Sequence, residues 1–126
     1  MPSRPRKPRV LVIEDEFLIA VTVKEMLEHL GCDVIGPIAT WRGAISQCAT
    51  VDADAAVLSL ILEGQEVYPV AAILAARNVP FGFASGTDHA HTNPGWAGRP
   101  FLSKPHTMAG LRAFLFEVLP DHKQPD

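Results

Sequence analysis

The sequence predicts an α/β domain in which helices cover both faces of a parallel sheet. Short apolar runs alternate with longer segments whose apolar positions recur at helical spacing. This alternation is typical of βαβ units, which place successive strands parallel to one another in one sheet. The order of the segments predicts a flavodoxin-like, doubly wound sheet of five strands in the order 2-1-3-4-5.

Five short apolar runs are the predicted strands of this sheet. They lie at residues 10–13, 33–36, 55–58, 81–84 and 101–103. Pro37 is expected to end the second strand, since proline has no N–H to donate to a neighbouring strand. The runs contain few polar residues, which favours strands that are buried on both faces of the sheet.

Four segments have the apolar spacing or the end signals of helices. They lie at residues 17–30, 41–48, 68–77 and 108–119. Gly31 ends the first helix, and Thr40 and Thr107 are the candidate N-caps of the second and the last. Pro69 falls near the start of the third helix, where its missing N–H does least harm. Residues 86–100 have no apolar period and many helix breakers, so a fourth helix before the last strand is expected to be short or absent.

The composition is that of one globular domain. The 126 residues are 48% hydrophobic and 20% charged, and the net charge of -3 gives no general attraction to nucleic acid or anionic lipid. We divide the chain into a flexible basic arm (1–8), one domain (9–120) and a tail (121–126). Cys32 and Cys48 are too few for a disulfide framework and are expected to behave as small buried or half-buried hydrophobes.

The start of the chain and the lengths of the apolar stretches indicate in which compartment the protein is expected. No apolar stretch approaches the roughly 20 residues of a membrane span, and the basic, proline-rich start does not follow a signal-peptide plan. We therefore expect a cytoplasmic protein that does not contact a membrane. Binding to nucleic acid would rest on the basic arm alone and is not expected.

Polar and charged residues stand where the predicted strands end. Glu14 and Asp15 come directly after the first strand, and Ser59 ends the third. Ser85 follows the fourth strand, and Lys104 follows the last. Because ligands of open α/β sheets bind at the carboxyl ends of the strands, we expect these five side chains to share one pocket.

This acid pair, hydroxyl and lysine resemble the phosphorylation pocket of receiver domains, the response-regulator half of two-component signalling. The resemblance covers residues 9–119, and it rests on the joint spacing, since an acid cluster or a Lys-Pro pair alone would be weak. Residues 83–86, Phe-Ala-Ser-Gly, are similar to the Phe-Ala-Thr-Gly motif of stand-alone alphaproteobacterial receivers. The family moves a phosphoryl group from a phosphohistidine to an aspartate, which implies a histidine kinase or a phosphotransfer protein as the partner.

The resemblance implies a role for each pocket residue. Lys104 matches the lysine that contacts the phosphoryl oxygen, and Pro105 matches the proline behind it. Ser85 matches the hydroxyl that moves to bond the phosphoryl group, and Phe101 matches the aromatic residue whose rotamer follows that move. These positions would make a phosphorylation switch if an acceptor were present.

The same resemblance implies a metal site. Glu14 and Asp15 match the acidic pair that holds Mg²⁺, and the backbone carbonyl of Ile61 would supply the third protein ligand. Ser59 stands where the family has its aspartate, so the site lacks one oxygen ligand and one negative charge. We therefore expect Mg²⁺ binding to be weakened and no other cofactor to be needed.

Ser59 changes the chemistry that the pocket can perform. A serine hydroxyl is neutral and, without a strong base beside it, is a poor nucleophile at pH 7, and it cannot form an acyl phosphate. We therefore interpret the protein as a degenerate receiver that is not an enzyme and that binds other proteins independently of phosphorylation. Lys104, without its usual partner, is expected to turn toward Glu14 or Asp15.

Two alternatives stay open. The first is a conventional Mg²⁺-dependent phosphoacceptor in which Ser59 is an altered aspartate or another carboxylate is used. The second is a small hydrolase or nucleotide-binding domain on the same fold. It is disfavoured because no glycine-rich loop follows the first strand and no nucleophile has an adjacent base in the sequence.

Two surfaces are candidates for contact with other proteins. Phe17, Leu18 and Val21 fall off the apolar stripe of the first helix and are expected to form an exposed patch of the kind that marks a partner site. The resemblance to receivers also implies a possible homodimer through the last strand and helix, although the missing fourth helix alters that face and leaves the mode of self-association open.

Overall fold

The computed structural model describes residues 7–86, 94–96, 98–104, 106–120 and 123–124. The strands are β1 (Arg9–Ile13), β2 (Asp33–Ile38), β3 (Ala55–Ser59), β4 (Ile61–Leu62), β5 (Gln65–Glu66), β6 (Phe81–Ser85) and β7 (Phe101–Ser103). The α-helices of the described residues are α1 (Phe17–His29), α2 (Trp41–Thr50), α3 (Tyr68–Ala76) and α4 (Met108–Val118). Thr40 and Thr107 cap α2 and α4 as predicted, each accepting the N–H three residues on.

The main sheet has five parallel strands in the order β2-β1-β3-β6-β7, which confirms the predicted order. The helices α2 and α3 pack on one face of the sheet, and α1 and α4 pack on the other. Both faces of β3 are buried throughout, as its unbroken apolar sequence predicted. The carboxyl ends of β1, β3 and β6 therefore meet at one edge of the sheet.

The prediction that β2 ends at Pro37 is wrong. The strand continues through a cis Gly36–Pro37 peptide bond to Ile38, which pairs with Ile13 after a shift of register. Because β2 is an edge strand, the missing N–H of Pro37 does not interrupt a ladder on both sides. The extended strand lets the carbonyl of Ile38 accept the N–H of Glu14 at 2.9 Å, which fixes the first pocket residue.

The connection from β6 to β7 has an aromatic cover. Its described residues form a 3₁₀ helix at Pro94–Trp96 and no α-helix, in line with the expectation for this segment. The Trp96 ring stacks on Tyr68 at a centroid distance of 6.5 Å and lies 5.6 Å from Phe81, and the guanidinium of Arg99 sits 4.2 Å above Phe81. The Trp96 ring thus covers the apolar side chains of Phe81 and Phe83 in β6.

Cys32 and Cys48 are free thiols, and both are buried, as expected from their sequence positions. Burial raises the pKa of each thiol to about 11, so both remain protonated at neutral pH. Buried, protonated thiols are unreactive, which leaves the two cysteines a packing role.

Gly82, in the middle of β6, is packed too closely to accept a side chain. A methyl group there would collide with the ring of Phe114 and would lie 2.5 Å from the carbonyl oxygen of Pro100. Gly82→Ala should lower the free energy of unfolding by about 3 kcal/mol in urea titrations, since overpacking forces neighbouring groups apart. Gly86→Ala is the matched control, because a methyl group at Gly86 meets nothing within 4 Å. Equal stability of the two variants would contradict the close packing at Gly82.

Candidate functional site

Lys104 lies at the centre of the pocket and bonds to residues at the ends of two other strands. Its Nζ is 2.7 Å from Glu14 Oε1, and it donates to Ser59 Oγ at 3.1 Å. The side chains of Lys104 and Glu14 are only 11% and 4% exposed, so little solvent screens this ion pair. Lys104 thus pairs with Glu14, which is one of the two carboxylates expected as its partner. The more exposed Glu16 carboxylate lies 3.9 Å from the same ammonium.

Ser59 is held as both a donor and an acceptor. Its Oγ accepts from Lys104 and donates to the backbone carbonyl of Ile61 at 3.0 Å. The strand β3 places Ser59 opposite Ala84 of β6, and the residue is nearly completely buried. The Ile61 carbonyl, which the family resemblance assigns to a metal ion, therefore already has a donor from within the chain.

The acid pair is also bonded to the protein backbone. Glu14 Oε2 accepts the N–H of Glu16 at 3.1 Å, and Asp15 Oδ2 accepts the N–H of Glu63 at 2.9 Å. The contribution of Glu63 was not predicted from the sequence. The sequence does contain one indication of this hairpin, since Glu63-Gly64 follows two apolar residues and is compatible with a two-residue turn.

A serine beside a lysine can form a nucleophilic dyad, but the contacts of Lys104 argue against that use. A lysine that activates a hydroxyl must offer a free amine as the base. The ammonium of Lys104 instead contacts the carboxylate of Glu14 and donates toward the Ser59 oxygen. In this arrangement Lys104 donates to the Ser59 hydroxyl, and that hydroxyl in turn donates to the Ile61 carbonyl.

The residues present do not fit Mg²⁺ as a ready-made site. Glu14 is paired with the ammonium of Lys104, Asp15 accepts the backbone N–H of Glu63, and the Ile61 carbonyl accepts a hydrogen bond from the Ser59 hydroxyl. Magnesium needs oxygen ligands in near-octahedral geometry, and an ion here would compete with each of those donors. Within the described residues, no group of three or more His, Cys, Asp and Glu side chains is arranged to hold a metal.

Of the two predicted switch positions, Ser85 adjoins this cluster. Ser85 is buried at the end of β6, and its carbonyl accepts the N–H of Lys104 at 3.0 Å, so the backbone joins the two positions. Phe101 is partly buried and packs against the core on the side of α2 and α3. Pro105 lies outside the described residues. The roles of Ser85 and Phe101 in a switch stay predictions.

Exposed apolar side chains stand at the start of α1, close to the pocket. Phe17 and Leu18 are 76% and 78% exposed, as predicted, whereas Val21 is half-buried. Leu18 also borders a shallow cavity of about 160 Å³ whose lining includes His106. The patch begins two residues after Asp15, so a partner bound to it would lie next to the acid pair.

His106, on the loop between β7 and α4, should make stability depend on pH. Burial lowers its pKa, and Lys104 acts in the same direction, while the Ser103 carbonyl and Glu14 oppose the shift. A lowered pKa in the folded state means that the unfolded chain takes up the proton first. The free energy of unfolding should therefore fall as the pH drops below about 6.5 toward the folded-state pKa.

Urea titrations at a series of pH values measure this effect. His106→Gln should have a shallower loss of stability below pH 6.5 than the unmodified protein, and His29→Gln, at the exposed end of α1, should not. Identical pH profiles for His106→Gln and the unmodified protein would show that His106 does not carry the dependence.

Comparison with solved structures identifies proteins that are similar to this chain in sequence and in fold. No protein-family model and no curated protein matches the chain. The solution structure of SdrG from Sphingomonas melonis Fr1 is 37% identical, with a TM-score of 0.79, over 88% of this chain and 95% of that one. The BeF3-activated conformation of SdrG from Pseudomonas melonis Fr1 is 38% identical, with a TM-score of 0.76, over 86% and 93%. A CheY-like response regulator receiver domain from Methylobacillus flagellatus is 25% identical, with a TM-score of 0.76, over 88% and 98%.

None of the helices in the described residues has the length and hydropathy needed to cross a membrane.

Proposed function

This chain belongs to the receiver-domain family of response regulators in two-component signalling, and on that premise we propose that it is a degenerate receiver. It binds partner proteins without carrying a phosphoryl group and is not itself an enzyme. The observation that supports this most is the bonding of Lys104 to Glu14 and Ser59, because the cation that would contact a phosphoryl group is already paired with a carboxylate of the same chain.

The position of Ser59 supports the loss of phosphoryl transfer. Its hydroxyl is neutral and buried, and the nearest cation holds it as an acceptor. A phosphoserine would be an ester, without the transfer potential of the acyl phosphate that an aspartate forms. Lys104 and the Ile61 carbonyl together fix the hydroxyl, which opposes its approach to an incoming phosphoryl group.

Weak binding of divalent cations is part of this proposal. Magnesium would have to compete with Lys104 for Glu14, with the Glu63 N–H for Asp15 and with the Ser59 hydroxyl for the Ile61 carbonyl. Titration with MgCl₂, followed by the amide signals of Asp15 and Glu63, tests this. Affinity equal to that of an ordinary receiver measured in parallel would contradict it.

The main experiment asks whether the protein accepts a phosphoryl group at all. The unmodified protein is incubated with acetyl phosphate and MgCl₂ and its intact mass is measured, with an ordinary receiver as the positive control. We expect no gain of mass. A base-labile gain would instead support the alternative in which another carboxylate is the acceptor.

Asp54 is a poor candidate for that acceptor. It precedes β3, about 16 Å along the strand from Ser59. There it accepts the N–H of Arg9 at 2.7 Å and pairs with Lys123 at 3.1 Å. These contacts place Asp54 at the opposite edge of the sheet, among the amino ends of the strands.

The patch formed by Phe17 and Leu18 is the proposed docking surface for a histidine kinase or a phosphotransfer protein. Its apolar side chains are largely exposed and lie next to the acidic residues Asp15 and Glu16 in the chain, a combination that fits an amphipathic helix with basic flanks. Calorimetry against a purified phosphotransfer domain of a histidine kinase tests this surface. Leu18→Glu should weaken binding by about tenfold or more, as expected when a charge enters an apolar contact.

Phe116→Glu is the matched control, since Phe116 is also exposed but lies on α4. Equal losses of affinity for the two variants would show that docking does not use the start of α1. A change of oligomeric state on Phe116→Glu alone, measured by sedimentation, would support the last helix as a surface for self-association.

A further inference from the structure

The β4–β5 hairpin closes through a turn that one of its residues adopts at a cost. Ile61 pairs with Glu66 and Leu62 with Gln65, which leaves Glu63 and Gly64 as the two turn residues. Both have positive φ, 49° and 79°. Glycine takes this conformation readily, whereas a glutamate does so only when other interactions hold it there.

Two hydrogen bonds hold Glu63, one through its backbone and one through its side chain. Its N–H donates to Asp15 Oδ2 at 2.9 Å, and its Oε1 accepts the N–H of Trp41 at 2.6 Å. Asp15 belongs to the acid pair, and Trp41 is the first residue of α2. Glu63 therefore links the acid pair to the start of a helix that is distant from it in the sequence.

The bond to Trp41 satisfies a group that the helix cannot satisfy itself. The first N–H groups of a helix have no partner within it, and a carboxylate near them is favoured by their partial positive charge. Thr40 satisfies the N–H of Gly43, and the side chain of Glu63 satisfies that of Trp41. The hairpin thus contributes one hydrogen bond to the cap of α2.

We propose that the hairpin is a strap that transmits the state of Asp15 to the start of α2. When the Asp15 carboxylate bonds to another group instead, the N–H of Glu63 loses its acceptor. Glu63 can then relax to a negative φ. That rotation moves the carboxylate away from Trp41. The base of the hairpin stays fixed, because Leu62 and Val67 are buried and the N–H of Val67 donates to the Leu60 carbonyl at 2.9 Å. The strap does not depend on Ser59 being inert.

Hydrogen exchange of individual amides, measured by NMR on the full chain, tests the strap. Asp15→Ala should accelerate exchange at Glu63 and also at Trp41, which Asp15 does not bond, each by about tenfold, as expected for the loss of one charge-assisted hydrogen bond. Asp15→Asn is the matched control, because its side-chain oxygen still accepts and both amides should stay protected. The amide of Cys48 in the body of α2 should be unchanged in all variants. Faster exchange at Glu63 with no change at Trp41 would overturn the proposal.

The reverse direction gives a second, independent test, since coupling between two sites is reciprocal. Glu63→Ala removes the bond to Trp41 and should also accelerate exchange of the residue-63 amide, whereas Glu63→Gln keeps an acceptor and should not. The double variant Asp15→Ala/Glu63→Ala should exchange at Trp41 no faster than either single variant. Multiplicative effects in the double variant would show that the two bonds are independent and would overturn the strap.

Discussion

Ser59→Asp is expected to turn the protein into a phosphoryl acceptor. The substitution places a carboxylate at the end of β3, within reach of the Lys104 ammonium that now lies 3.1 Å from Ser59 Oγ. It removes the hydroxyl that donates to the Ile61 carbonyl and adds an oxygen ligand beside Glu14 and Asp15. With acetyl phosphate and MgCl₂, the intact mass should rise by one phosphoryl group. The affinity for Mg²⁺ should increase by about tenfold or more, as measured by amide shifts.

Ser59→Asn separates the effect of charge from the effect of size. Asparagine has nearly the shape of aspartate but cannot form an acyl phosphate and adds no negative charge. We expect no gain of mass for this variant and Mg²⁺ binding close to that of the unmodified protein. A phosphoryl gain on both variants would place the acceptor elsewhere, and a gain on neither would mean that Ser59 is not the only block.

The sequence predicted the parts of the fold that depend on neighbouring residues. The apolar runs, the caps at Thr40 and Thr107 and the strand order follow from local periodicity and from the rules of parallel sheets. The continuation of β2 past Pro37 did not, because it depends on β2 lying at the edge of the sheet and on a shift of register against Ile13. Neither of those conditions is visible in the local sequence of the strand.

The pocket was predictable for a different reason. Glu14, Asp15 and Lys104 follow strands, and the carboxyl ends of parallel strands have to meet at one edge of the sheet. The positive φ of Glu63 and its two hydrogen bonds were not predictable, because they depend on partners far along the chain. Asp15 and Trp41 stand 48 and 22 residues away from it. The contacts that complete the pocket are thus tertiary, even where its charges can be read from strand ends.

The Lys104–Glu14 ion pair is also expected to contribute strongly to the free energy of unfolding. Lys104→Met should lower the free energy of unfolding at pH 7 by about 3–5 kcal/mol, because it leaves the nearly buried carboxylate of Glu14 without its cation. Lys24→Met is the matched control, since the Lys24–Glu28 pair is 42% and 51% exposed and its loss should cost about 0.5 kcal/mol or less. Urea titration of both variants measures the difference.

A second substitution distinguishes an unpaired charge from lost packing. In Lys104→Met/Glu14→Gln the buried charge is gone, and the glutamine oxygen can still accept the N–H that Glu16 donates at 3.1 Å. The double variant should recover more than half of the stability that Lys104→Met loses, because the cost of one buried, uncompensated charge exceeds that of a neutral replacement. If the double variant were as unstable as Lys104→Met, the lysine stem rather than its charge would be what supports the pocket. The Lys104–Glu14 charge pair would then not be what stabilises the pocket, and the proposed loss of phosphoryl transfer would rest on Ser59 alone.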